Sequence, residues 1–537
     1  MSKSFKLCLL YLILITWNRA GHAEGYGIIA LYILGLAIIW SIIGKLDFWK
    51  KRRIFQCLPI ISLIVISIIG WFNPYYRSVS VKDLEELEFE KTVLESKDSN
   101  KVEMVSNAFK LILNQNTEDP STSLSLFFYF KNTYLDRFLP NEGDSIKEFF
   151  INCEKKIKLP LQKLLPSCTI NSPNNLKRIY FFSFNLFIGI AIFYSLRDKT
   201  DITLFLHLMV INCLVLCLVG FYQKINHQWT DDYLEILGIW NAPEPRYYFS
   251  TFTYKNHWSA YAIITLFFAF YLLRNEFIKI LNNGTNIISS KIFIYLSISI
   301  IIISSSILFS GSRSGTLLLI LSFIICSYEI YKSKVNLLKF NLKYFFNIFL
   351  FMPILFFLFY TFKNDKKFNE MVNNSTSQWQ NLVEGKLPMR ILFWNDTIDM
   401  IQEKPFWGYG YNSYSSIYPK FQSTEVRYER ALGLKNAHNP YIPLVAHAHN
   451  DVLEFLVEWG FIGVFLIFLP FLLPLLRVVY LSTINSSSIT GWGCIVFLLY
   501  CFIDFPTRTP ACLATFCALL AVTFKIHSFE QKDSQRF

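Results

Sequence analysis

The chain has 537 residues, of which 53% are hydrophobic and 17% charged, and its mean hydropathy is +0.35. Long uncharged apolar runs recur, each near the ~20 residues that span a bilayer, which excludes a soluble globular class. The net charge of +12 does not mark a nucleic-acid binder, because Lys and Arg fall in short loops between the apolar runs and no basic patch carries interleaved aromatics.

In chain order the apolar runs are Phe5–Trp17, Tyr26–Ile43, Ile54–Phe72, Ile179–Leu196, Ile202–Tyr222, Trp258–Leu273, Ile292–Phe309, Thr316–Tyr331, Tyr344–Phe362, Val452–Leu476, Gly491–Ile503 and Ala511–Ile526. They predict an all-α, polytopic membrane helix bundle of about 12 transmembrane helices with large, partly helical extracytoplasmic loops. The first run follows Lys3 and Lys6 and precedes Gly21-His22-Ala23, so it reads as an uncut helix or as a signal peptide. The helix is the expectation, because a second apolar run follows at once.

Alternating the connections gives two kinds of loop. Met1–Lys6, Gly44–Arg53, Arg197–Asp201, Arg274–Lys291, Lys332–Lys343, Arg477–Thr490 and the tail are short and basic, hence cytoplasmic. The long loops Asn73–Arg178, Gln223–His257 and Lys363–Asp451 then face outward. The expected divisions are N-terminal transmembrane helices (1–72), an extracytoplasmic cap or insertion (73–178), a transmembrane bundle (179–362), a large extracytoplasmic loop (363–451), C-terminal transmembrane helices (452–526) and a cytoplasmic tail (527–537).

In the first outward loop, Asp83–Leu94, Val102–Leu113 and Ser145–Ile157 repeat at helical spacing, and the region reads either as a small cap or as a loosely ordered insertion. Most of the 11 cysteines lie in or beside apolar runs; Cys153 and Cys168 lie in this loop and form a candidate disulfide in an oxidising compartment. There is no nucleotide loop and no internal repeat.

The polar residues are concentrated at Ala446-His447-Ala448-His449-Asn450-Asp451, which runs into Glu454, Glu458 and Gly460-Phe461-Ile462-Gly463. Ionisable groups where a helix enters lipid are costly and point to a functional site. The plainer reading is a capped interfacial helix start, with Asn450 or Asp451 as N-cap and Glu454 in the first turn. Upstream, Ile391, Trp394, Ile398 and Ile401 predict the apolar face of an amphipathic helix that carries Arg390 at its start and ends before Pro405 and Gly408-Tyr409-Gly410. Two outward turns hold further cations: Arg313 within Ser310–Gly315, and Arg508 within Asp504-Phe505-Pro506-Thr507-Arg508, where an Asp504–Arg508 pair is expected. Snorkelling to the interface is the alternative for Arg313 and Arg390. A metal set of His438, His447, His449 and Glu454 is weighed and set aside, since its spacing is not distinctive. An imidazole near a hydroxyl substrate is better read as a general base, because its ordinary pKa of ~6.5 lies near working pH.

These pieces resemble a known family. His449-Asn450, nine residues, and Gly460-x-x-Gly463 are similar to the His-[Asn/Ser/Gln]-x9-Gly-x-x-Gly signature of the bacterial O-antigen ligases, which share a membrane superfamily with O-antigen polymerases and some protein O-oligosaccharyltransferases. Asn256-His257-Trp258, Ser310–Gly315, Arg390…Trp394…Pro405…Gly408-x-Gly410 and Asp504-Phe505-Pro506-x-Arg508 resemble further family segments, in the family's order. The resemblance implies transfer of a glycan from undecaprenyl diphosphate to an acceptor sugar hydroxyl, on lipid A–core for a ligase or on a growing glycan for a polymerase, at the outer face of the bacterial inner membrane. It implies catalytic roles for His449, Glu454 and Asp451 and substrate contacts from Arg313, Arg390, Asn450, Arg508 and His257. No cofactor or metal is expected, because the lipid diphosphate is itself the activated leaving group. The long first outward loop departs from the compact ligase pattern. A lipid or glycan transporter is the alternative from another class; it calls for related halves and broken mid-membrane helices, but no such repeat is found and the candidate residues cluster at one face.

Overall fold

A single helix, Lys255–Asn283, is buried on every side from Trp258 to Ala269, each residue at 0% exposure. A helix apolar all round belongs inside a bundle, and this one is the post around which its part of the molecule is built. The computed structural model describes residues 2–22, 26–43, 51–80, 82–83, 85, 120–134, 143–160, 165–227, 234–243, 246–284, 289–332, 388–431, 445–481 and 487–534.

The described elements are, in order, α1 (Lys3–Trp17), α2 (Tyr26–Ile43), α3 (Lys51–Trp71), α4 (Pro120–Tyr129), α5 (Gly143–Ile157), α6 (Pro173–Ser195), α7 (Lys199–Asn226), the small hairpin β1 (Leu234–Ile236) and β2 (Trp240–Asn241), α8 (Lys255–Asn283), α9 (Lys291–Ser310), α10 (Arg313–Lys332), α11 (Met389–Glu403), α12 (Tyr414–Ile417), α13 (Thr424–Ala431), α14 (Asp451–Leu481), α15 (Ser487–Cys501) and α16 (Pro510–Ser534). The apolar runs named above fall on helices, to within a residue or two at their ends, except Tyr344–Phe362, which lies outside the described residues. By length and apolarity, five of the described helices can cross a membrane: the stretches Arg178–Ser195, Lys199–Asn226, Lys291–Ser310, Asp451–Tyr480 and Pro510–Asp533. Tyr26–Ile42, Cys57–Trp71 and Ser487–Cys501 are apolar but shorter. The protein is therefore an all-α membrane protein, and the described residues establish fewer spans than the twelve expected.

The chain forms two compact units. Unit 1 comprises Met1–Cys57, Phe184–Gln380 and Pro470–Phe537. Within it α8 packs against α7, α9, α10, α15 and α16. Some of its buried polar groups are paired side chain to side chain. The Asn212 amide donates to the Tyr261 hydroxyl (3.0 Å) and to Thr16 Oγ1 (3.1 Å), while its carbonyl accepts from Trp17 Nε1 (2.8 Å). Thr16 and Trp17 belong to α1, which packs as a member of this unit with Leu12 and Ile15 at 0% exposure.

Unit 2 comprises Leu58–Ser183 and Asn381–Leu469. It joins the first and third outward loops around one hydrophobic core. Tyr76, Phe127, Phe128, Phe150 and Ile157 come from the first; Phe393, Met400, Tyr414, Tyr418 and Val457 come from the third and from the start of α14. A fully buried Phe is worth about 1.5–3 kcal/mol relative to an exposed one. Phe127, Phe128 and Phe150, each at 0% exposure, bring the described part of segment 73–178 into this core. Ser145–Ile157 lies on α5 as expected, and α4 was not anticipated although every residue from Leu124 to Tyr129 is buried. The expected helix Val102–Leu113, and most of Asp83–Leu94, lie outside the described residues. Cys153 and Cys168 are free thiols, so the candidate disulfide is not formed. Burial pushes both thiols up to about 12.

Candidate functional site

In unit 2 the site begins with an interrupted helix. A continuous α14 would bond Phe461 N to Val457 O and Ile462 N to Glu458 O, by the four-residue rule of the α-helix. Instead, Phe461 N donates to Pro405 O (2.8 Å) and Ile462 N to Phe406 O (3.1 Å). The two vacated carbonyls accept from the same loop: Tyr409 N reaches Val457 O and Gly410 N reaches Glu458 O, both at 2.8 Å. Segment Pro405–Gly410 thus replaces two rungs of the helix, and no buried backbone group is left over in the exchange.

Two glycines make this approach possible. Gly460 sits at φ 62°, ψ −177°, a region essentially restricted to glycine, and a Cβ there would meet the Phe406 carbonyl at 2.3 Å. A Cβ on Gly408, at φ 64°, would meet Val457 O at 2.3 Å. The expectation of one unbroken helix over Val452–Leu476 is corrected accordingly. From the first outward loop, Thr169 Oγ1 donates to Tyr409 O (3.0 Å) and Ser167 Oγ to Gly408 O (3.4 Å). The Lys404 ammonium lies 3.8 Å from the Tyr75 ring centroid and 4.8 Å from that of Tyr409. Burial pulls Lys404 down to about 8, while the two aromatic faces favour its charged form. Sequence reasoning missed Ser167, Thr169 and Lys404, because their role exists only once the two loops share a core.

The imidazole-bearing turn precedes α14. Asn450 is the N-cap: its side-chain oxygen accepts from Leu453 N (3.1 Å), and its backbone carbonyl accepts from Glu454 N (3.1 Å). The capping reading holds for Asn450, whose side chain was expected to contact substrate. Glu454 is 1% exposed; its Oε1 accepts from Ala448 N (2.7 Å), and its Oε2 lies 3.2 Å from His447 Nδ1. The next peptide, between Ala448 and His449, is held by Trp394 Nε1, which donates to Ala448 O (3.0 Å). Between these anchors and the cap, His449 takes a left-handed backbone at φ 55°, uncommon for a residue with a side chain, and is partly exposed. Asp451 at 0% and Glu458 at 1% are buried in the first two turns of α14. His438 lies outside the described residues.

Helix α11 carries Arg390 as its second residue, partly exposed. Its buried face is Phe393, Asp396, Thr397, Met400 and Ile401; of the expected stripe only Ile401 is fully part of it, Trp394 packs on the core partly buried, and Ile398 is 42% exposed. The face rotated because Asp396 finds partners inside: it accepts from the Tyr418 hydroxyl (2.8 Å) and from Ser423 N (3.2 Å). Burial raises its pKa, against the lowering effect of those two donors. The helix thus packs on the core of unit 2.

The remaining candidates lie in unit 1. Arg313 is the first residue of α10 and is exposed. The preceding turn is fixed by Ser312, whose hydroxyl donates to Asn256 Oδ1 (2.7 Å) and lies 3.2 Å from the Tyr500 hydroxyl. The Asn256 amide donates to Asp504, which also accepts from the Tyr254 hydroxyl (3.5 Å) and from Phe505 N (3.0 Å). His257 is 7% exposed, with Nδ1 2.6 Å from Thr509 Oγ1 and its ring 4.8 Å from the rings of Tyr254 and Phe505. Arg508 ends the short helix Pro506–Arg508 and is partly exposed. Three expected family segments thus meet in this unit, held by Asn256 and Asp504, neither of which was singled out as a site residue.

No curated protein matches the chain. A family model described as O-Antigen ligase matches residues 298–468, the stretch that contains Arg313, Arg390, the rung exchange at Gly408 and Gly460, and His447 to Glu454; the match supports the resemblance to the O-antigen ligase superfamily.

Proposed function

We propose that the protein is a glycosyltransferase that moves a glycan from undecaprenyl diphosphate to an acceptor sugar hydroxyl at the outer face of the bacterial inner membrane. The observation that carries this reading is His449: a partly exposed imidazole held at a strained φ by a capped helix start and by Ala448, which is anchored at both its N–H and its C=O, within the segment matched by the family. Such restraint is what a positioned base needs. The acceptor oxygen attacks the anomeric carbon, its proton passes to the His449 imidazole, and the bond from that carbon to the diphosphate oxygen breaks. Both electrons of that bond leave with the lipid diphosphate.

The leaving diphosphate gains charge, and Arg is the side chain whose planar fork suits phosphate oxygens. Arg390 and Arg313 each lie in the first turn of a helix, the end where a cation is disfavoured by roughly 0.3–1 kcal/mol and an anion is favoured. Neither helix gains from its arginine, whereas a phosphate would gain from both the guanidinium and the helix end. Arg508 is a further candidate contact. Asp451 and Glu454 act behind the imidazoles, and His257, enclosed by Thr509, Tyr254 and Phe505, has the surroundings of a structural group.

A polymerase of the same superfamily is the second reading, favoured by one observation: segment 73–178 contributes to the core beneath the His449 turn, which departs from a compact ligase. The test is transfer from an undecaprenyl-diphosphate glycan in membranes, with lipid A–core and free glycan offered as acceptors. Transfer to lipid A–core alone supports a ligase, and elongation of glycan alone supports a polymerase. No transfer to either, together with movement of glycan lipid across vesicles, overturns the enzyme reading. Glu425→Cys, at an exposed position in unit 2, should label with an impermeant reagent in whole cells; protection would reverse the proposed topology.

A further inference from the structure

The carboxylate at the helix start serves an imidazole that the sequence reading left aside. Glu454 Oε2 faces His447 Nδ1 at 3.2 Å, and the other oxygen of the same carboxylate accepts from Ala448 N at 2.7 Å. The Glu454 side chain is 1% exposed and that of His447 is 23% exposed, so the contact is made at the buried edge of the ring. One carboxylate therefore grips two consecutive residues, His447 by its ring and Ala448 by its amide. From the opposite side Trp394 holds the carbonyl of Ala448, the peptide group that leads directly into His449. His449 must keep a left-handed φ of 55°, which costs on the order of 1 kcal/mol or more and persists only where the surroundings over-determine it. The Glu454–His447 pair supplies part of that determination, since a ring hydrogen bond to a buried carboxylate prevents Glu454 from turning away from Ala448 N.

We propose that His447 is a positioning residue for the transfer reaction: with its proton on Nδ1 it locks the Glu454 carboxylate, and through it the Ala448 peptide, so that His449 is presented in one orientation. The proposal rests on the reading of His449 as the base. It places no demand on His447 as a proton acceptor; it needs a hydrogen-bond donor of the right reach.

The test compares His447→Ala, His447→Gln, Glu454→Ala and the double variant His447→Ala/Glu454→Ala in the full-length protein, with kcat and KM measured for transfer. Mispositioning by about 1 Å can cost on the order of a hundredfold in rate. His447→Ala should therefore lower kcat by up to about a hundredfold with KM for the donor unchanged. His447→Gln, whose amide can donate to Glu454, should recover most of that loss. The double variant should be no slower than Glu454→Ala, because both changes release the same peptide. Wild-type kcat in His447→Ala overturns the proposal. So does His447→Gln as slow as His447→Ala, since the imidazole itself is then required. If His447→Ala fails to insert, the Gln variant and the additivity of the pair in His447→Asn/Glu454→Gln decide in the same way. Full activity in His449→Ala would instead remove the base on which the proposal rests, an outcome separate from any result at residue 447.

Discussion

The two units differ in how their helices keep polar groups paired. In unit 1 positive φ falls in turns and caps such as Arg19–Gly21, Leu237–Gly238 and Gly311, and some buried polar side chains pair with one another, as Asn212 does with Tyr261, Thr16 and Trp17. In unit 2 the backbone itself leaves the helix: α14 gives up two rungs, a loop supplies replacements, and Gly408, Gly410, Gly460, Asn412 and His449 all take positive φ. A lipid-embedded helix cannot expose its N–H and C=O groups, so irregular backbone is affordable only where protein covers it. The shared core of the two outward loops provides that cover. The first loop thus packs beneath the third, where the strained His449 turn lies.

The sharpest way to break this contrast is at His449. If unit 2 carries the chemistry, His449→Ala should lower glycan transfer by about a hundredfold or more, the usual cost of losing an acid–base group, while membrane insertion is unchanged. Full activity in that variant would leave unit 2 as scaffold only. Transfer should persist in strong chelator; loss that zinc restores would instead place His449 in a metal site.

Next in size is the rung exchange. Gly460→Ala places a Cβ 2.3 Å from the Phe406 carbonyl and forces a residue with a side chain into a conformation worth about 1–3 kcal/mol of strain before the clash is added. Limited proteolysis of purified protein should show segment Pro405–Gly410 becoming cleavable, with activity falling in parallel. Gly238→Ala is the control: that glycine also has positive φ, at 65°, but nothing lies within 4 Å of its Cβ. Equal effects of the two would show that φ strain alone matters and that the docked loop does not.

The arginines sharpen the comparison from the substrate side. Arg390→Lys in unit 2 and Arg313→Lys in unit 1 keep charge and lose the planar fork. Each should reduce transfer by roughly tenfold, the cost of about 1.4 kcal/mol of charge-assisted hydrogen bonding at the leaving group, with insertion unaffected. Normal activity in either lysine variant would reduce that arginine to an interfacial anchor.

How much of this was legible in the sequence differs between the units in the same way. The helices of unit 1 follow from apolar runs and short basic loops, because lipid imposes one simple rule on each segment. In unit 2 the residues of the His449 turn and both Gly motifs were identifiable, but not what they do. The α11 stripe failed because periodicity counts Asp396 as a surface residue, whereas Tyr418 and Ser423 satisfy it inside. Gly460 stood out only as part of a Gly-x-x-Gly signature; it ends a rung pattern that depends on a loop about fifty residues upstream in sequence. Glu454 was expected in a catalytic role, and its spacing gave no sign that it would grip His447 and Ala448. Tertiary pairing of this kind leaves no period in the chain.

The smallest expected effect concerns the anchoring of the first loop, and it depends on pH. Asp83 is buried, which by itself raises its pKa, yet Arg77 reaches it with two bonds of 2.8 and 2.5 Å and Ser80 adds its amide (2.9 Å) and hydroxyl (2.7 Å). These donors win and hold the carboxyl near 2, below its ordinary 3.8. Because the folded state binds the proton less tightly than the unfolded chain, the stability contributed by Asp83 is fully present above about pH 4 and is lost as pH falls through about 2. Asp83→Asn keeps the shape and removes the charge. It should lower the thermal midpoint by a few degrees at pH 7, with the difference from wild type shrinking as pH is lowered from 4 towards 2. Activity should follow only through stability, since Arg77 and Asp83 lie in the first loop and not in the His449 turn. A difference in midpoint that stays constant across that pH range would mean that the carboxylate charge contributes nothing, and that the segment after Val79 is held by apolar packing alone.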